Sequence, residues 1–306
     1  MMRPTRISAS SRFYTNYPGG AFSPVEMIGY FHEVGFRAVD FDIETVPAMG
    51  DEWKRILTEM AEEAAKKDIA LEMGHLPFHS IRREDGSKDR EQFHRNMLRC
   101  IEAAGYIGIK HAVIHPKGDP KGNRDLFEAD FAKNIEYMTP YVELAEKVGV
   151  KLAFENMRSP HEAEGYHRSF STADELIRLA DHFGQGICWD FGHAHTTGLV
   201  QSEELRKVGS RLLCLHVNDN HAGGDEHLLP FFGTIDWVDA MGALGEIDFG
   251  HCFNYECRMA RLPAAVRTDI GRHAVTLGKK LIEMMGLFSI KRTFLKGKFP
   301  CCYTIP

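Results

Sequence analysis

Eight short apolar runs, each followed by a longer stretch with helical spacing, set the pattern of this chain. They fall at Arg6–Ser8, Phe36–Ile43, Ile69–Met73, His111–Ile114, Val150–Phe154, Gly186–Trp189, Leu212–Val217 and Cys252–Tyr255. Runs this short and this rich in Val, Ile, Phe and Leu suit strands buried on both faces, and the helical stretches supply the crossovers that parallel strands require. Eight such units predict an α/β fold, a single (β/α)8 TIM barrel, which typically takes about 250 residues. No linker rich in Pro, Gly or Ser divides residues 1–285, so they are expected to form one barrel, with residues 286–306 as a C-terminal extension of unassigned role.

Some helix starts are visible in the sequence. Ser23-Pro24-Val25-Glu26 offers an N-cap serine followed by proline at the first helical position, and Thr172-Ala173-Asp174-Glu175 offers a second capping box. Leu126, Phe131, Ile135, Met138, Val142 and Ala145 give the fourth helix one apolar face, and Pro140 is expected to kink it.

Charge narrows the range of partners. The chain has 37 basic and 43 acidic residues, a net of −6. Residues 286–306 hold Lys291, Arg292, Lys296 and Lys298 and no acid, so residues 1–285 carry 33 basic against 43 acidic residues, a net of −10. Affinity for a phosphate backbone comes from Lys and Arg that displace its counterions, so this body is a poor nucleic-acid surface. Arg82-Arg83 and the segment Lys117–Arg124 are the densest basic exceptions, and solvated loops account for them equally well. No apolar leader opens the chain and no run of 18 apolar residues occurs in it, so neither secretion nor membrane spanning is expected. The seven cysteines stand mostly singly in apolar runs, which points to reduced thiols and a cytoplasmic location.

In a barrel of this kind the active site lies at the C-terminal ends of the strands. The residues ending the runs are His75, His115, Glu155, Asp190 with His193, His216 and Glu256, and Asp225 and His227 follow in the loop after the seventh run. His75, His115 and Glu155 are 40 residues apart, one βα unit each, and the next steps to Asp190, His216 and Glu256 are 35, 26 and 40 residues. Each of these side chains can ligate a metal, and the mixed nitrogen and oxygen set suits Mn²⁺ or Zn²⁺, with Mg²⁺ or Co²⁺ also in range. Carboxylates crowded at one rim without a cation would repel and raise one another's pKa, so the set argues for a metal where one glutamate alone would not.

The LAFEN strand, the W-D-x-G-H turn at Trp189–His193 and the stretch from His216 to Trp237 together resemble the xylose isomerase-like barrels, which include sugar isomerases, sugar epimerases and endonuclease IV. The resemblance covers nearly all of residues 5–285. It implies that one metal ion is held, as in the ketose 3-epimerase branch, by Glu155, Asp190, His216 and Glu256. In that branch the histidine matching His193 contacts substrate. An arginine near the last glutamate often does so too, and Arg258 is the candidate here. Endonuclease IV binds three zinc ions, and its additional ligands correspond to His75, His115, His193, Asp225 and His227. Sugar enzymes of the family also keep such residues as substrate contacts, so His75 and His115 fit either role.

The resemblance implies a metal-dependent sugar or sugar phosphate isomerase or epimerase acting on a small sugar or polyol. Glu155 and Glu256 would remove and return a proton next to a carbonyl, through a metal-stabilised enediolate. One alternative is an endonuclease IV-like multi-zinc phosphodiesterase acting on abasic DNA, which the acidic body and the scarcity of basic loops disfavour. Another is a barrel that binds metal and sugar without turnover. Homo-oligomers are usual in the family. The loop Asn156–Ser171 carries His161, Tyr166 and His167, which either face a ligand or cover the mouth. No Gly-rich helix start marks a phosphate site, so free and phosphorylated sugars are equally open.

Overall fold

The computed structural model describes residues 5–14, 23–83, 86–119, 121–159, 165–259 and 262–296. Its eight strands are β1 (Ile7–Ser10), β2 (Ala38–Phe41), β3 (Ala70–His75), β4 (His111–Ile114), β5 (Lys151–Glu155), β6 (Gly186–Asp190), β7 (Leu212–His216) and β8 (Phe253–Tyr255). All neighbours pair in parallel, in the order β7-β6-β5-β4-β3-β2-β1-β8. The ring closes just past β7, where Val217 bridges Tyr255 in parallel. There the Val217 N–H donates to Asn254 O at 2.8 Å, and the Val217 carbonyl accepts from the Glu256 N–H at 3.1 Å. The eight runs expected from the sequence are these eight strands, offset by a residue or two at their ends.

Around the strands stand α1 (Pro24–Val34), α2 (Trp53–Lys66), α3 (Arg90–Tyr106), α4 (Phe127–Val148), α5 (Ala173–Phe183), α6 (Phe191–Thr196), α7 (Gln201–Val208), α8 (Trp237–Glu246) and α9 (Ala264–Lys296). The last of these packs against both α8 and α1, which completes the outer ring. It runs without a break across residue 285, and residues 297–306, with Cys301 and Cys302, lie outside the described residues. Cys100, Cys188, Cys214, Cys252 and Cys257 are free and buried. Among the described residues no helix is long and apolar enough to cross a membrane.

Local signals explain most of the helix ends. Ser23 Oγ accepts from the Glu26 N–H at 3.3 Å with Pro24 at the first helical position, and Gly35 closes α1 in the left-handed conformation. Thr172 occupies the N-cap of α5, but its hydroxyl caps nothing. Two carboxylates, stronger acceptors than a hydroxyl, serve that helix start: Glu204 takes the Ala173 N–H at 2.7 Å and Glu175 takes the Ser171 N–H at 3.2 Å. The helix α4 continues through Pro140 to Val148, and Leu126 lies before its start with 41% of its surface exposed. Met138, Val142 and Ala145 do form its buried face.

One extensive apolar core lies between strands and helices, anchored by fully buried Phe31, Phe36, Phe41, Phe154, Trp189 and Phe253. A second, inside the barrel, has only Met73, Val113, Ala153, Cys188 and Cys214 as buried members. Side chains alternate faces along a strand, so the residue two positions after an inward one also points inward. Applied to those five, the rule gives His75, His115, Glu155, Asp190 and His216. The apolar plug thus sets the height at which the polar residues meet.

A candidate metal and substrate site at the barrel mouth

Glu155, Asp190, His216 and Glu256 converge above the plug, each offering a ligand atom within 4.8 Å of the others. His216 Nδ1 lies 3.0 Å from Glu155 Oε1, 3.5 Å from Glu256 Oε2 and 3.9 Å from Asp190 Oδ2. Three carboxylates are thereby buried together, with Glu155 at 1%, Asp190 at 0% and Glu256 at 8% exposure. Burial of three negative charges is untenable without compensation. Without a metal the compensation falls to protons: burial raises Asp190 to about 7 against the pull of His193. Burial opposes a charge on His216 too, yet the surrounding acids Glu155 and Glu256 hold its pKa well above the usual imidazole range. Burial would also raise Glu155 and Glu256, but His216 with His115 pulls the first down, and His216 with His227 pulls the second to about 2.

The donor set fits a divalent cation. Glu155 Oε2 and both ring nitrogens of His216 are buried without a hydrogen-bond partner, so a carboxylate oxygen and, once His216 gives up its proton, one imidazole lone pair are open to a Lewis acid. Supporting residues hold these groups from behind. Asp40, buried on β2, places Oδ2 3.5 Å from His216 Nε2 and accepts from Asn254 Nδ2 at 3.1 Å, an arrangement that fixes which nitrogen faces the cage. Asp190 accepts from the His193 N–H through Oδ1 at 2.7 Å, capping α6, and from Asn218 Nδ2 through Oδ2 at 2.9 Å. Asn156 binds the backbone of Asp190 on both sides, donating to its carbonyl at 2.9 Å and accepting from its N–H at 2.6 Å. Gly192 lets the Asn218 amide come this close: a Cβ there would sit 2.0 Å from Asn218 Oδ1.

His75, His115, His193, Asp225 and His227 stand around the same mouth. His75 turns Nδ1 to the Leu76 carbonyl at 2.9 Å and Nε2 toward Glu155 Oε2 at 3.7 Å; His115 Nε2 is 3.0 Å from the same oxygen. His75, His115 and Glu155 therefore form a second group of ligand type. His193 holds Nδ1 2.8 Å from the Asn156 carbonyl and Nε2 3.9 Å from Asp225 Oδ1. His227, at a positive φ of 54°, spans from the Glu256 carbonyl at 2.8 Å to Asp225 Oδ2 at 3.0 Å. Arg258 is different: β8 ends at Tyr255, and its side chain is 64% exposed, joined to the cluster only through Asp225 at 3.3 Å. His167 faces away from the mouth, buried on Glu175 at 2.6 Å; Tyr166 is exposed, and His161 lies outside the described residues.

Sequence reasoning missed Arg12, Asp40 and Asp42. Arg12 follows β1 and pairs with Asp42 at 3.1 Å and Glu44 at 2.6 Å, close enough to feel the charge of Glu256. A signal existed: Asp40 and Asp42 stand two apart near the end of a largely apolar run, the spacing that returns to one strand face, although β2 itself ends at Phe41.

Comparison with known proteins agrees with this architecture. The model of a family described as xylose isomerase-like TIM barrel matches residues 28–275. Inosose isomerase of Bacillus licheniformis is 26% identical over 193 residues, covering 61% of this chain and 66% of that protein, just under two thirds of its length. A crystal structure of D-psicose 3-epimerase in the presence of D-fructose superposes with a TM-score of 0.69 at 13% identity, covering 90% of this chain and 99% of that one. The crystal structure of the IOLI protein with a binding zinc atom gives 0.66 at 18% identity, covering 93% and 99%. Identities this low speak to the fold.

Proposed function

The chain belongs to the xylose isomerase-like TIM barrel family, and from that premise we propose a metal-dependent isomerase or epimerase acting on a small sugar, sugar phosphate or polyol. The observation that carries this reading is the convergence of Glu155, Asp190, His216 and Glu256 with buried, unpartnered lone pairs. Sugar epimerases and inosose isomerase among the relatives support the substrate class. Mn²⁺ or Zn²⁺ suits one imidazole and three carboxylates, and the zinc of the IOLI structure is in keeping with that choice. Bound there, such an ion would polarise the carbonyl oxygen of a substrate.

The chain's own residues would do the proton work. Glu155 and Glu256 are both ionised at neutral pH and come from β5 and the end of β8, so they approach a substrate from different sides. One carboxylate removes the proton from the carbon beside the carbonyl; the other, having taken up a proton from solvent, would deliver it to the opposite face, and each regains its starting charge by exchange with solvent. His115 Nε2, 3.0 Å from Glu155 Oε2, is placed to share the abstracted proton, and His193 is placed to donate to a substrate hydroxyl. Incubation of a ketose and inosose panel in D₂O tests this directly. Wild-type protein should label the carbon next to the carbonyl, with loss of roughly 10²–10⁴-fold in Glu155→Gln and in Glu256→Gln. Retained labelling in both variants would overturn the assignment.

A second reading draws on the grouping of His75, His115 and Glu155 and on the His193, Asp225 and His227 chain beside it, which provide for a multi-metal phosphodiesterase. Three ions per chain by elemental analysis, and nicking of abasic-site duplex DNA at moderate salt that disappears in Asp225→Asn and His227→Ala, would favour it; one ion per chain favours the isomerase.

A further inference from the structure

Outside the barrel mouth, between α3 and α4 and next to the loop that follows β3, lies a cavity of about 640 Å³. Its size is that of a small-molecule site, and none of the strand-end residues lines it. Lys117, from the basic segment after β4, is built into its wall. Asn134, fully buried in α4, clamps the Lys117 backbone by accepting from its N–H at 2.7 Å and donating to its carbonyl at 2.7 Å. The ammonium stands 5.2 Å from the ring centres of Phe93 and Tyr137 and 6.0 Å from that of Phe78. Ring faces attract a cation but leave its N–H groups without an oxygen acceptor.

Nothing described neutralises this charge. Among the described residues no carboxylate lies within ion-pair distance of Lys117, and the charges it feels most are two cations, Arg168 and Lys88. Lys88 and Arg90 line the same cavity, where α3 begins and the helix dipole is positive. Asp89 beside them is already engaged, accepting from the Gln92 N–H at 3.0 Å and pairing with Arg83 at 3.4 Å. The lining holds Lys88, Arg90, Lys117 and Lys133 against Asp89 and Glu136, so in a chain of net negative charge the cavity is locally positive; its solvent-exposed cations Lys117, Lys88 and Arg90, set beside aromatic rings, select for a particular shape of ligand.

We propose that this cavity is a second ligand site, separate from the barrel mouth, which takes a phosphate monoester carried on a ring: the phosphate meets Lys117, Lys88 and Arg90, and the ring lies against Phe93 and Tyr137. Phe78 forms the partition between the two sites, its ring 4.2 Å from that of His115 on one side and 6.0 Å from the Lys117 ammonium on the other. The proposal does not depend on what the mouth catalyses.

Titration calorimetry with phenyl phosphate and with inorganic phosphate tests it, on the metal-loaded protein and again after chelation. Phenyl phosphate should saturate one site per chain, bind at least threefold tighter than inorganic phosphate, and be indifferent to chelation. Lys117→Met should weaken it tenfold or more. Arg90→Gln, at an exposed position where folding is not at stake, should weaken it about threefold and steepen no other property. Glu155→Gln should leave it unchanged. Absence of saturable binding, unaltered affinity in both Lys117→Met and Arg90→Gln, or loss of binding on chelation or in Glu155→Gln would each overturn the second site, the last two by placing the phosphate in the mouth.

Discussion

Adding one methyl group at Gly192 should loosen the barrel-mouth site without altering any proposed ligand. The position is helical, in α6, and its backbone suits alanine, so propensity alone would favour the change by up to about 1 kcal/mol. Space does not. The new Cβ would lie 2.0 Å from Asn218 Oδ1, while ordinary contact begins near 3.4 Å, so the amide must withdraw by about 1.4 Å. That displacement breaks the 2.9 Å hydrogen bond from Asn218 Nδ2 to Asp190 Oδ2. Losing a hydrogen bond to a charged acceptor costs about 1.5–3 kcal/mol, and overpacking costs a further ~1–3 kcal/mol. After the propensity gain, Gly192→Ala should destabilise the metal-free protein by about 1.5–5 kcal/mol. Loss of support behind a ligand should also weaken metal binding by roughly 10–100-fold. Urea unfolding and zinc competition against a chromophoric chelator measure the two effects. The double variant Gly192→Ala with Asn218→Ala separates collision from simple loss of the hydrogen bond. Removing the Asn218 amide relieves the tightest contact and leaves the 2.9 Å approach to Asn220 Nδ2, so the double variant should be clearly less destabilised than the sum of the two single changes. Wild-type stability and affinity in Gly192→Ala, or strict additivity in the double variant, would refute the reasoning.

Two further perturbations probe different layers. Asp40→Asn keeps the shape behind His216 but removes the charge 3.5 Å from Nε2, so metal affinity should fall roughly 10–100-fold while the circular dichroism spectrum stays the same. At the opposite end of the barrel, burial first and then the nearby His251 lower His111 to about 4. Between about pH 6.5 and 4 the unfolded chain binds a proton there that the folded chain refuses, so stability should decline as pH falls through that window and be level above it. The decline is at most about 3.5 kcal/mol at ~1.4 kcal/mol per unit, less what partial exposure of the ring screens. Urea midpoints at pH 7 and 4.5 should converge in His111→Phe relative to wild type, and an unchanged gap would contradict the linkage.

Strand positions were legible because the strands here are short, mostly apolar and largely buried on both faces, which leaves little freedom for any other reading. The mouth residues were legible for the same reason: a His or Glu at the end of such a run, two residues past a plug residue such as Val113 or Ala153, has only one place to go. Arg258 departed from that rule because β8 stops at Tyr255 and the alternation stops with it. Thr172 shows a different limit, since a capping motif says what a hydroxyl can do locally but not that Glu204, 31 residues away in the chain, will reach the helix start first. Lys117 was visible only as part of a charged loop. Its aromatic neighbours come from the segment after β3 and from α3 and α4, and nothing in the linear order brings Phe78, Phe93 and Tyr137 together around it.

Closure of the barrel through one bridge gives the ring a preferred place to open. A hoop fastened at a single point yields at the fastener, and here that point is Val217 against Tyr255, with His216 immediately before one and Glu256 immediately after the other. A cation gripped by Glu155, Asp190, His216 and Glu256 would rivet four consecutive staves, β5 to β8, across that join. Metal loading then has a mechanical signature apart from chemistry: solvent exchange at the Val217 and Glu256 amides slows on loading, while amides within β3 and β4 keep their pace.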